Sequence, residues 1–276
     1  MKTNYHTHTV FCDGHDTAED MVRAAVSKGF DVLGFSAHSL YPFAASWHLA
    51  PGRHGEYVAE IRRLQRAYAG EIKILLGFEA DYLPPLALPD IRRYEQFHPD
   101  YLIGAVHYVT TAEGIFTVDG PADEVAWGVA NLFGDGRRAV EAYFRQERDM
   151  LSRGGFDILA HPDVVRKRNG VLHFFDENDD WYLREIDATA RAASQAGVIV
   201  EINTGGIARG ALDDVYPSRR FLKALHQYGV PVIISSDAHR TSHLDVAFDL
   251  ALERAQEAGW KAPLEQLPEK RCPWER

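Results

Sequence analysis

The strongest constraint on this chain's fold is an alternation: short apolar runs, each followed by a stretch with helical spacing. The runs fall at residues 4–9, 31–35, 72–79, 100–106, 156–160, 198–202 and 231–236. Between them, Met21, Ala24, Ala25 and Lys28, then Tyr57, Ile61, Leu64 and Tyr68, then Leu183, Ile186, Ala190 and Ala193 recur at helical intervals. That spacing gives a helix one buried face. Helices are also expected over 90–97, 121–154 (broken near Gly134-Asp135-Gly136), 218–229 and 243–259, with a small hairpin near 114–118. Strands alternating with helices predict a parallel sheet with crossover helices. Unbroken apolar runs such as Val232-Ile233-Ile234 fit strands buried on both faces. Seven strands rather than eight predict an irregular or incomplete barrel.

The ends of those runs carry the chemistry. His6 and His8 sit two apart, so in a strand they share a face and can grip one ion. The later runs lead to His38, Glu79, His107, His161, and Asp237 with His239, while the first loop offers Asp13 and His15. In a β/α barrel such strand ends share one rim. Imidazole and carboxylate donors without a thiolate suit Zn, Fe or Mn better than Ca or Mg. The donors are too many for one ion, so two or three divalent ions are expected, with Glu79 placed to bridge. Such a centre lowers the pKa of bound water and supplies hydroxide near neutral pH, the chemistry of hydrolysis at phosphorus.

Composition narrows the class. The 276 residues are 46% apolar and 25% charged, ordinary for a globular chain with a large core. A net charge of -10 without a basic run argues against nucleic acid or an anionic membrane as partner. Two cysteines, Cys12 and Cys272, form no disulfide framework or paired-cysteine zinc motif. The lack of an apolar signal region or a long apolar span leads to the expectation of a cytoplasmic protein. Residues 261–276 read as a loosely packed, peripheral tail. Each remaining His (48, 54, 98, 173, 226 and 243) reads as structural or solvated, Cys12 as a small filler, and Tyr108 and Trp127 as either pocket-shaping or packing residues.

Taken together, His6-Thr7-His8, His38, Gly77-Phe78-Glu79, Gly104-Ala105-Val106-His107, His161-Pro162 and Ser236-Asp237-Ala238-His239 resemble the motif series of the PHP (polymerase and histidinol phosphatase) family. The resemblance runs from about residue 3 to about 260. Length and Glu201-Ile202-Asn203-Thr204 point to the histidinol-phosphatase-like branch. It implies a single PHP domain over 1–276, a distorted (β/α)7 TIM-like barrel with its active site at the C-terminal ends of the strands. Carried over, it implies one metal on His6, His8, Glu79 and Asp237, a second on Glu79, His107 and His161, and a third on His38, His239 and either Asp13 or His15. Ala37 and Ala105 depart from the branch pattern, which usually has Asp and Ser there.

The implied reaction is phosphomonoester hydrolysis, with metal-activated hydroxide attacking phosphorus and Asp237 or His239 protonating the leaving alkoxide. Arg166, Lys167, Arg168 and Arg209 are the candidate phosphate clamp, since an Arg fork binds phosphate in two places. Histidinol phosphate is the expected substrate, with Glu201 or Asp163 receiving its ammonium. The alternatives are a PHP phosphoesterase acting on nucleotides or other esters, and a non-catalytic metal-binding module. A small phosphorylated substrate is the partner expected, and the oligomeric state stays open.

Overall fold

The computed structural model describes residues 1–41, 43 and 45–268. The chain alternates as expected: β1 (Thr3–Asn4), α1 (Ala18–Ser27), β2 (Val32–Ser39), α2 (His54–Ala67), β3 (Lys73–Asp81) and β4 (Tyr101–Ala105). A hairpin follows, β5 (Tyr108–Thr110) and β6 (Ile115–Thr117), then α3 (Ala122–Gly128) and α4 (Gly136–Arg153). The second half is β7 (Ile158–Leu159), α5 (Asn169–Leu172), α6 (Asp180–Ala196), β8 (Ile199–Asn203), α7 (Gly205–Ala208), α8 (Arg219–Gln227), β9 (Val232–Ser235) and α9 (Phe248–Ala258). Residues 91–97 form a 3₁₀ helix rather than an α-helix.

The main sheet has seven strands in the order β1-β2-β3-β4-β7-β8-β9, and every pairing is parallel. This is the distorted seven-stranded barrel, nearly closed. Closure falls to the chain just beyond β1 and β9. His8 N–H donates to Ala238 O (2.8 Å) and Ala238 N–H to His6 O (3.1 Å). The Asn4 side chain adds two bonds, giving its amide to Ser236 Oγ (2.7 Å) and accepting from Ser236 N–H (3.0 Å). A side chain thus replaces ladder bonds where an eighth strand would stand.

Strand parity fills the interior. Tyr101 and Ile103 of β4 point inward to a cluster with Ile158, Ile199 and Ile233, while Leu102 packs in the core under the helices. The Tyr101 hydroxyl donates to Tyr5 O and Phe35 O. Its side chain explains two glycines: a Cβ on Gly34 would come within 2.5 Å of the hydroxyl, and one on Gly77 within 2.4 Å of the ring. Local sequence sets the helix ends. Thr17 Oγ1 accepts from Asp20 N–H at the start of α1. Gly134, at φ 81°, and the Asp135 cap divide α4 from a π-helical stretch, residues 129–133, that continues α3.

Part of the tail touches the barrel. Leu264 pairs with Ile233, donates its N–H to Val232 O (2.7 Å), and packs with Leu267 on the barrel-interior cluster. Residues 269–276, with Cys272, lie outside the described residues. Among the described residues no helix is long and apolar enough to cross a membrane.

Candidate metal centre

Register places the donors. β2 and β3 pair with His38 opposite Glu79, and His107, His161, Asp237 and His239 follow the ends of β4, β7 and β9. His161 (φ 20°) and Asp237 (φ 50°) hold backbone conformations unusual for residues with a Cβ, the kind of strain that collects at functional sites.

Glu79, 1% exposed, is the hub. Its Oε2 lies 3.0 Å from His6 Nε2, 3.0 Å from His38 Nδ1 and 3.5 Å from His8 Nε2. Its Oε1 lies 3.1 Å from His161 Nε2 and 3.6 Å from His107 Nε2. Donor atoms converge within 4.8 Å in three groups: His6, His8 and Asp237; His38, Glu79 and His107; and His8, Asp13, His38 and His239. In the first loop Asp13 is thus inside a group, its Oδ2 3.1 Å from His239 Nε2. His15 is exposed at the mouth of the cleft and gives its backbone N–H to His239 O.

The residues fit divalent ions. His8 Nε2, Asp13 Oδ1 and His38 Nδ1 are buried and make no well-aligned hydrogen bond, although His38 Nδ1 lies 3.0 Å from Glu79 Oε2. Burial opposes charge on His6, yet Glu201, Glu79 and Asp237 raise its pKa well above the usual value. His107 is pushed up to about 10: burial opposes the charge, and Asp81 and Glu79 outweigh it. His8 is lowered to about 3 by burial and by His239 and His38. Glu79 stays ionised against burial because His38 and His6 face it. This pocket gathers negative charge and lends it to imidazoles, which protons or metal ions can share.

Two carboxylates behind the donors orient them. Glu201, fully buried, binds His6 Nδ1 (2.9 Å) and accepts from His161 N–H (2.9 Å) and Asn203 Nδ2 (2.7 Å). Asp81 holds His107 Nδ1 at 3.1 Å and accepts from the Tyr41 hydroxyl. A carboxylate on the far ring nitrogen fixes tautomer and direction. Glu201 is therefore no ammonium receptor. Nor is Asp163, which is buried, accepts from Ser218 N–H (2.7 Å) and does not line the cleft. Asp81 went unnoticed in the sequence, although it stands two residues beyond Glu79 on the same strand face. Cys12 Sγ sits 3.5 Å from His8 Nδ1, and burial with the Asp13 charge pushes its thiol up to about 12, so it offers no thiolate.

The donors floor an open cleft of about 800 Å³. Arg209 reaches it and grips Asp237 Oδ2 at 2.7 Å, and Lys167 lines it with Nζ 2.6 Å from Asp119 Oδ2. Arg166 faces away: its guanidinium binds Glu177 (2.7 Å), Asp163 (3.5 Å) and Val215 O in a separate cavity. Arg168 donates to Gly120 O and does not line the cleft. Both are corrections to the expected clamp, because adjacent residues of a tight helical turn point in different directions. Trp47 and Tyr108 form an aromatic wall, while Trp127 stands 58% exposed on the surface. His243, expected to be merely structural, reaches the cleft as well.

A PHP domain model matches residues 4–205. The chain belongs to the PHP family. A Deinococcus radiodurans protein named "Probable histidinol-phosphatase" is 28% identical over 258 residues, 92% of each chain. HisK of Listeria monocytogenes superposes with a TM-score of 0.80 at 19% identity, over 90% of this chain and 99% of that one. The histidinol phosphate phosphatase HisK of Lactococcus lactis, solved with Zn, L-histidinol and phosphate, gives 0.69 at 19% identity over 94% of both. This PHP barrel is thus shared along nearly its whole length with these proteins.

Proposed function

We propose that this PHP protein is a metal-dependent histidinol-phosphatase, converting histidinol phosphate and water to histidinol and phosphate, and that the chain acts as one domain. The observation that carries the reading is the convergence of three donor groups through Glu79 on the barrel rim. The Deinococcus relative's name and the ligands of the Lactococcus structure supply the substrate.

Two or three divalent ions, Zn, Fe or Mn, would be held by His6, His8 and Asp237, by Glu79 with His107, His38 and His161, and by Asp13, His38 and His239. Bound ions supply an activated water and neutralise charge at the phosphoryl oxygens. The chain does the rest. Arg209 and Lys167 are the cations beside the donors that bind the phosphate. Burial opposes charge on Asp237, but Arg209 and His6 hold its carboxylate well below the usual range, so it stays a ligand and anchor. His239, its side chain 15% exposed and nearest the mouth of the two, completes the outer donor group with Asp13 and His38, and the departing alkoxide takes its proton from water in the open cleft. Glu201 and Asp81 keep His6 and His107 aimed at the donor cluster.

The test is hydrolysis of histidinol phosphate by metal-analysed protein beside sugar phosphates and nucleotides. The expected kcat/KM for histidinol phosphate is ~10⁴ M⁻¹s⁻¹ or higher. Metal-loaded protein active on the other esters alone would overturn the substrate.

A further inference from the structure

Among the described residues five carboxylates line the cleft: Asp13, Glu79, Asp119, Glu124 and Asp237. Three belong to the donor groups. Of the other two, Glu124 is exposed at the mouth, and Asp119 lies deeper, in the turn after β6. Asp119 is placed among the site's charges and interacts electrostatically with His107 and His161. It is also locked to Lys167 at 2.6 Å, with 20% and 16% of the two side chains still exposed to the cleft.

A lone, partly wet ion pair contributes little to stability. Its place suggests another use, because it ties up a cation that the phosphate needs. Histidinol phosphate carries its own pair of charges, a phosphate ester and an ammonium on the carbon next to the ester methylene. The two pairs are complementary. Laid against each other, they exchange partners: Lys167 goes to phosphate and Asp119 to ammonium. The stacked Trp47 and Tyr108 rings, 5.7 Å apart at 30°, form a wall for the remaining ring of the substrate. The geometry points to Asp119 as the carboxylate that receives the substrate ammonium and thereby releases Lys167 to the phosphate. This rests on the amino-alcohol phosphate reading above. It makes Asp119 a specificity residue: an ester without a cation must compete with Asp119 for Lys167, whereas an amino-ester replaces what it takes.

The experiment is Asp119→Asn in the metal-loaded enzyme. KM for histidinol phosphate should rise about tenfold or more, since an ammonium loses its charged partner. KM for p-nitrophenyl phosphate should fall, because Lys167 is freed. Product inhibition should split the same way, weaker by histidinol and stronger by phosphate. A variant that is merely damaged moves both substrates in one direction, and metal content with melting temperature are read alongside to identify it. An equal rise in both KM values, or an unchanged KM for histidinol phosphate, overturns the exchange. The pair 2-aminoethyl phosphate and ethyl phosphate separates this inference from the choice of substrate. A wild-type preference for the amine that Asp119→Asn erases supports the exchange even if histidinol phosphate proves a poor substrate. No preference between them overturns it even if histidinol phosphate proves a good one.

Discussion

The short helical turn Val164–Arg168 has a different world on each side. On one side Lys167 looks into the cleft; on the other Arg166 looks into a cavity of about 760 Å³ between α5, α6 and α8. Both regions bury carboxylates and both contain polar atoms without partners. In the cleft, imidazoles and Arg209 hold Glu79 and Asp237 well below the usual carboxylate range, against burial. Behind the turn, burial raises Glu147 well above its usual value, against the hydrogen bond that the Tyr143 hydroxyl donates (3.2 Å). Asp163 is raised too, burial outweighing Arg166. Among the described residues Glu147 Oε2 and Asp163 Oδ1 have no hydrogen-bond partner, yet they converge with no His. An orphaned oxygen alone marks an electrostatic cost; orphaned donors converging on a shared space mark a site.

That contrast can be broken at six residues. The largest effect should come from Glu79→Gln, which removes the hub. Metal retention should fail and hydrolysis should drop beyond the ten- to hundredfold typical of losing an outer partner, roughly a thousandfold. A variant that keeps its full metal content would remove Glu79 from the bridge. Next come Glu201→Gln and Asp81→Asn, which leave every donor in place but release His6 and His107. Each should cost about ten- to hundredfold in activity or metal affinity, read by metal titration; no change in either would leave these carboxylates as packing.

The two arginines should then separate. Arg209→Ala should raise KM for a phosphomonoester at least ~10-fold, as expected when a charged hydrogen-bond partner is lost. Arg166→Ala should leave KM alone and lower the melting temperature instead, since it strands buried Asp163. An equal effect of both on KM would return Arg166 to the clamp. The smallest effect is Glu147→Gln. A buried acid whose folded pKa is raised contributes stability that is present below its unfolded pKa and lost as pH rises through the folded one. The variant should therefore melt a few degrees higher than the parent near pH 8 and converge with it near pH 4. Coincident melting curves at both pH values would mean that the Glu147 charge is already compensated.

How much of this was legible differs by element. The barrel and its rim were written in the chain. Apolar runs that end in His, Glu or Asp state both the strand and where it stops, because strand ends in a parallel barrel share one rim. The i, i+2 rule also held more than it was asked for. Glu79-Ala80-Asp81 and Glu201-Ile202-Asn203 repeat the spacing of His6-Thr7-His8, and both place a second polar group inward. The first run gave its chemistry but not its form: only Thr3–Asn4 enters the ladder, and the histidines follow in the chain that closes the barrel.

By itself, then, the sequence determined the strands, the order of donors and the chemistry that those donors favour, since these depend on periodicity and residue type alone. Tertiary structure decided which donors share a space, that Asp13 and not His15 joins them, and that Glu201 stands behind His6 instead of facing the substrate. It also decided that Lys167 faces the cleft while Arg166 turns away. These are questions of distance between residues such as Asp13 and His239, 226 positions apart, and of rotation within single turns, and no local pattern encodes either.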